Sequence, residues 1–173
     1  GTITVNITGT NDVATVSSTT TAVTEGNTSS ALNASGQFVI TDVDTGEAQV
    51  VAQDVKATYG TFHVNADGSW TYTGNGAHDE LTAGQQVSDS ITVKSVDGTA
   101  SGTITVNITG TNDVATVSST TTAVTEGNQA SDLNTSGQLV ISDADAGQAQ
   151  VVEQRSEEHT SELQSRLHLV CRL

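Results

Sequence analysis

The sequence predicts an all-β chain, an antiparallel β-sandwich of about seven strands in a module that repeats every 101 residues. Three observations predict it. Apolar and polar residues alternate with period two, as in Ile3, Val5 and Ile7 against Thr4, Asn6 and Thr8, the pattern of a strand with one buried and one wet face. Thr, Ser, Asn, Gly and Val dominate, while the helix formers Leu, Lys and Glu are scarce before residue 155. Residues 1–27 recur without a difference as 102–128, and residues 28–53 recur as 129–154 with ten substitutions and no slip of register. A period this long suits beads that each close their own core rather than a solenoid.

The phrase Gly1 to Asp12, repeated as Gly102 to Asp113, is read as a strand, a glycine break and a polar Thr-Asn-Asp linker. It marks the seam between copies. Residues 13–113 are then one complete module, 1–12 the last strand and linker of a preceding one, and 114–154 the N-terminal part of the next. The chain has no Met, so it is expected to be an internal piece of something longer.

Within the module, Val13, Ala14 and Val16 lead through a Ser/Thr run into a first strand ending at Glu25-Gly-Asn27. Residues 28–35 read as a polar loop, Gln37 to Thr41 as a short apolar strand, and Ala48 to Ala52 as the next. Tyr59 to Val64 and Ser69 to Thr73 form a hairpin across Asp67-Gly68, glycine supplying the positive φ of a tight turn. Residues 74–86 read as a loop with one helical turn around Asp79 to Ala83. Val87 to Val96 pairs with Thr99 to Thr109 across Asp97-Gly98. Strands of this number and spacing indicate an immunoglobulin-like or cadherin-like sandwich. All five aromatics, Phe38, Tyr59, Phe62, Trp70 and Tyr72, fall in this module and are expected in its core.

Acidic residues number 20 against 5 basic ones, a net charge of -15. Such a surface repels nucleic acid and anionic lipid and attracts divalent cations. No membrane span or signal peptide is visible, and the body up to residue 154 lacks cysteine, so no disulfide holds it. Hard cations need several converging oxygens. Asp42-x-Asp44 and Asp143-x-Asp145 put paired carboxylates beyond strand ends, and Asn11-Asp12 and Asn112-Asp113 add oxygens at the seams. Glu25 follows the first strand. Plain turn chemistry is the alternative for each of these phrases taken singly. The pattern is no EF-hand, because the glutamate at loop position twelve is absent. Catalysis finds no support: His63 and His78 have no nucleophile context, there is no zinc spacing or phosphate-binding glycine loop, and the adjacent pair Asp79-Glu80 does not straddle a reacting bond.

Six phrases, in order, carry a family resemblance: Val23-Thr-Glu-Gly26, Gly36 to Glu47, Tyr59-Gly-Thr-Phe62, Asp67 to Tyr72, Leu81-Thr-Ala-Gly84 and Ile104 to Asp113. Together they span residues 1–154 and resemble the VCBS repeats, cadherin-like modules of very large bacterial surface and biofilm adhesins. The resemblance implies a repeated stalk or adhesive segment at the bacterial cell surface, exported often by type I secretion and commonly stiffened by calcium. In cadherin-like domains the cation sits between neighbours. Carried over, Asn112 and Asp113 would join Glu25 of one module and Asp143 and Asp145 of the next, and the first seam would use Asn11, Asp12, Asp42 and Asp44. Its expected partners are neighbouring repeats of the same chain and host or matrix glycans or proteins, with no nucleic acid and no membrane insertion. A second function, from another class, is a glycan-binding module with Trp70 or Tyr72 exposed as a stacking platform; burial of both rings would remove it.

The second copy stops matching after Gln154. Residues 155–173, from Arg155-Ser-Glu-Glu-His-Thr-Ser-Glu-Leu-Gln-Ser165 onward, resemble the translation of a common sequencing adapter rather than protein-coding sequence. The alternative is an amphipathic helix bearing Leu163, Leu167 and Val170.

Overall fold

The computed structural model describes residues 1–152, so the tail from 153, with its adapter and helix readings, lies outside the described residues. The chain divides into two compact units, Gly1–Thr111 and Asn112–Leu173.

The first unit is all-β. Its strands are β1 (Thr15–Val16), β2 (Thr19–Thr24), β3 (Ala34–Gln37), β4 (Ile40–Thr41), β5 (Gln53–Lys56), β6 (Gly60–Val64), β7 (Ser69–Gly74), β8 (Gln86–Lys94) and β9 (Ser101–Thr109). Four strands form one sheet in the order β3-β7-β6-β5, and three form the other in the order β2-β9-β8. The β6/β7 and β8/β9 hairpins lie where the Asp-Gly phrases put them, with Gly68 at φ 84° and Gly98 at φ 76°.

Alternation along these strands builds the core. Ile104, Val106 and Ile108 of β9 and Phe62, Val64, Trp70 and Tyr72 of β6 and β7 turn inward into one cluster, with Leu32 and Phe38 beside them. Burying large side chains from two facing sheets is the main stabilising term of such a sandwich. Trp70 is 2% and Tyr72 1% exposed, and Phe62 meets Tyr72 at a centroid distance of 4.7 Å. The expectation of a core role for the aromatics holds for these residues. The glycan platform does not: both rings are covered because their strand positions face the opposite sheet.

Five other expectations are corrected. The strand expected at 48–52 reduces to one bridge, Val50 to Ser95, and the strand proper is β5, further on. The single strand expected over 37–41 breaks at Phe38 and Val39, where the chain leaves one sheet and β4 pairs with β1 instead. β2 runs parallel to β9, Thr19 beside Ile104 through Thr24 beside Thr109, so the sandwich is not wholly antiparallel. The 74–86 loop holds turns without a helix, and its one short 3-10 segment neighbour lies earlier, at Ser29–Leu32. Residues 1–12 form no strand; Ile3, Val5 and Ile7 are 92%, 75% and 90% exposed, since a strand with an apolar face needs neighbours to cover it.

In the second unit the described strands are β10 (Thr116–Val117) and β11 (Ile141–Ser142), which pair as β1 and β4 do. A 3-10 segment at Ala130–Leu133 repeats the one at Ser29–Leu32. The copy of β2, residues 120–125, is not a strand and is exposed.

Candidate functional site

The hairpin turn between β8 and β9, the turn after β4 and the entering segment 11–14 meet at one end of the first unit. Asp42, Glu47 and Asp97 each offer a carboxylate oxygen within 4.8 Å of the others. The arrangement is built locally first. Asp42 caps its own turn, its Oδ1 accepting the Asp44 N–H at 2.8 Å, the short-range bond that Asp favours in turns. Asp44 Oδ2 in turn accepts the Asp12 N–H at 2.7 Å. On the hairpin, Asp97 Oδ2 accepts the Thr99 hydroxyl at 2.5 Å and the Asn11 amide at 3.2 Å, and Thr99 Oγ1 accepts the Ala14 N–H at 2.9 Å. Three distant stretches are thereby tied by hydrogen bonds from groups that carry no charge.

That tying leaves the negative charge uncompensated. Among the described residues the ion pairs are His63 with Asp54 and His78 with Glu80, neither in this cluster. Asp42 Oδ2 and Glu47 Oε2 are buried atoms without a hydrogen-bond partner. The hydroxyls of Ser95 and Thr99 and the Asn11 amide hold the Asp97 carboxyl below the ordinary carboxylate range. Glu47 is pushed the other way, above its ordinary 4.5, by partial desolvation and then by the charges of Asp44, Asp42 and Asp97. A site with clustered oxygens, two of them unsatisfied, and no cationic side chain from the described residues has the donor chemistry of a hard divalent ion.

The other end of the unit holds a second acidic group. β2 and β9 run side by side, and β9 alone spans roughly 30 Å, so Glu25, just past β2, is far from Asp97. Glu25 is 3% exposed; its Oε2 accepts the Thr111 N–H and hydroxyl, both at 2.8 Å. Glu25 Oε1 and Asp79 Oδ1 are buried without a hydrogen-bond partner, and the two carboxylates lie within 4.8 Å of each other. Asp79 reaches this place from a loop that is fixed by its neighbour. His78 has φ 64°, meets Tyr59 edge-on at 5.0 Å, and places its ring nitrogens 2.6 Å from Asn75 Oδ1 and 2.9 Å from Glu80 Oε1.

Of the residues expected to bind a cation, Asn11, Asp12, Asp42 and Asp44 are joined at the first end, and Glu25 stands at the opposite one. In the second unit, Asp145 Oδ2 accepts the Asp113 N–H at 2.9 Å and Asp143 Oδ1 accepts the Asp145 N–H at 2.9 Å, while the Asn112 amide bonds Asp113 O at 2.5 Å. These repeat the bonds made by Asp12, Asp44, Asp42 and Asn11. Sequence reasoning missed Glu47, Asp97 and Asp79. Asp97 reads as an ordinary Asp-Gly turn, and Asp79 as a solvated loop. The available signal was position: Asp97 opens the strand that ends at the next seam.

Among the described residues no helix is long and apolar enough to cross a membrane. A comparison with curated proteins gives no match. The sequence profile of the Bacterial cadherin-like domain matches residues 11–110, the span that contains both sheets and both acidic ends. With more than half of its length matched and the β-sandwich in place, the chain belongs to the bacterial cadherin-like domain family.

Proposed function

We propose that this chain is a non-enzymatic spacer of a bacterial surface adhesin, a stretch of tandem sandwiches whose acidic ends take up calcium. The observation that carries the reading is the Asp42, Glu47 and Asp97 cluster with its two unsatisfied oxygens, bonded through Asp44 and Asn11 to the segment that leads into the module. An ion there would be held by those three carboxylates, with Asp12 and Asp44 close behind them. It would supply the positive charge that no lysine among the described residues supplies.

The repeat extends the argument along the chain. Thr-Asn-Asp and Asp-x-Asp recur 101 residues on, so each seam carries the same oxygen-rich phrases. Neutralising them would hold the entering segment against the module, and removing the ion would let like charges part it. VCBS-type membership, export to the cell surface, type I secretion, biofilm adhesion and contact with matrix glycans or proteins accompany this reading as its biological setting.

Thermal unfolding of the full chain tests it. Binding to the folded state alone raises stability by about 2.7 kcal/mol at a hundredfold excess of ligand over its dissociation constant. Millimolar calcium should therefore raise the melting temperature by several degrees, and Asp42→Asn with Asp97→Asn should abolish the rise. An unchanged melting temperature in wild type defeats the proposal.

A further inference from the structure

We infer that Asn75-Gly76 is a self-modifying site, at which the fold promotes conversion of the Asn75 amide into a carboxylate through attack by the Gly76 backbone nitrogen. The inference does not rest on the cation reading.

Gly76 is a glycine that the backbone does not demand. Its φ is not positive, and a Cβ there would find its nearest neighbour, His78 Nε2, at 3.5 Å, an ordinary contact. What glycine does at this position is leave the peptide nitrogen unshielded by a side chain. Among the described residues the Gly76 N–H makes no backbone hydrogen bond, so the nitrogen is not tied elsewhere.

Both hydrogen bonds of the Asn75 amide favour the reaction. Asn75 lies just past β7 and is exposed, so water reaches it. Its Nδ2 donates to Thr58 O at 3.0 Å, which fixes the orientation of the amide and turns Oδ1 toward His78 Nε2 at 2.6 Å. Because Oδ1 only accepts, that ring nitrogen carries the hydrogen. His78 is itself held in place, edge-on to Tyr59 and with Nδ1 2.9 Å from Glu80 Oε1. When Gly76 N bonds to Asn75 Cγ, negative charge grows on Oδ1, where His78 donates to it. The Gly76 proton passes to Nδ2, and the positive charge growing there faces Thr58 O. Donor and acceptor are thus set in advance where charge develops. The Cγ–Nδ2 bond then breaks, ammonia leaves, and a five-membered succinimide remains. Water opens it at either carbonyl to give aspartate or isoaspartate. Either product replaces the donor to Thr58 O by an acceptor, so the loop that carries Asp79 loses one of its anchors.

Peptide mass spectrometry reads the conversion on the full chain, incubated at neutral pH and then cut by trypsin after Lys56 and Lys94. The peptide between these cuts holds an internal reference. Asn65 Oδ1 also faces a histidine, His63 Nε2 at 3.1 Å, but its next residue is Ala66. Asn75 should become acidic at least about tenfold faster than Asn65, and faster in the folded chain than in the same chain in denaturant. Gly76→Ala, which the space around the residue accommodates, should slow the conversion about tenfold. His78→Asn keeps a residue that tolerates the φ of 64° and should slow it by about tenfold or more, the worth of one hydrogen bond to a charged group. An unchanged thermal unfolding curve certifies the fold of each variant. A folded chain that converts Asn75 no faster than the denatured one, or a folded rate indifferent to His78→Asn, overturns the inference.

Discussion

The Asp12 N–H donates to Asp44 Oδ2 at 2.7 Å, and one repeat later the Asp113 N–H donates to Asp145 Oδ2 at 2.9 Å. The bond recurs in a unit whose described residues form neither large sheet, so it is encoded by the linker and the acidic turn rather than by the sandwich. Asp44→Ala should therefore free the Asp12 amide while leaving the sheets intact. Hydrogen exchange at Asp12 should accelerate, and the global stability should fall by less than about 1 kcal/mol, the usual scale of one partly exposed hydrogen bond.

A buried carboxylate ties the core together. Asp89 is 4% exposed and accepts the Tyr72 hydroxyl at 2.7 Å and the N–H groups of Tyr59 and Thr58 at 2.8 and 3.1 Å. Asp89→Ala strands three donors and should cost about 3 kcal/mol or more, whereas Tyr72→Phe removes one bond to a charged group and should cost about 2 kcal/mol. Chemical denaturation measures both. Burial and then the Asp89 bond push the Tyr72 hydroxyl far above its ordinary 10.0, so alkaline titration should yield no Tyr72 phenolate before the fold is lost.

On the outer face of the four-stranded sheet, His63 bonds Asp54 Oδ1 at 2.5 Å from the facing strand position. The hydrogen bond and charge of Asp54, helped by Asn65, raise the imidazole above its ordinary 6.5. A raised histidine binds its proton more tightly folded than unfolded. Its stabilising contribution is complete below pH 6.5 and disappears as the pH climbs through the folded value. An NMR titration of the His63 ring should find a midpoint above 6.5 in wild type and one displaced downward in Asp54→Asn.

Trp70 and Gly36 pair across β3 and β7, and a Cβ at position 36 would lie 2.6 Å from Trp70 Cζ2. Gly36→Ala must move the indole or the strand and should destabilise the module by about 1–3 kcal/mol, the range of overpacked cores. A loss of near-ultraviolet ellipticity in step with a lower denaturation midpoint would locate the damage at Trp70.

The two long hairpins were legible because each is written in one stretch: alternating residues, Asp-Gly, alternating residues. The parallel pairing of β2 with β9 was not, since its partners stand 85 residues apart and period-two alternation carries no direction. The same division runs through the acidic site. Asp42 and Asp44 announce themselves as Asp-x-Asp, and their turn forms even in the second unit. Glu47 and Asp97 join them only after β8 and β9 bring the Asp97-Gly98 turn to that end, a fact of tertiary packing. Trp70 and Tyr72 were placed correctly as core by composition, and the competing platform failed on the inward parity of β7. In the first twelve residues a strand-like sequence stays unpaired, which shows how far a strand depends on its neighbours.

The central claim is that the carboxylates of Asp42, Glu47 and Asp97 form a divalent-cation site. Isothermal titration of the metal-free full chain with calcium tests it most directly. The account predicts saturable binding that Asp97→Asn weakens at least about tenfold, a loss of 1.4 kcal/mol or more. Absence of saturable binding, or an affinity indifferent to substitution at all three carboxylates, would contradict it.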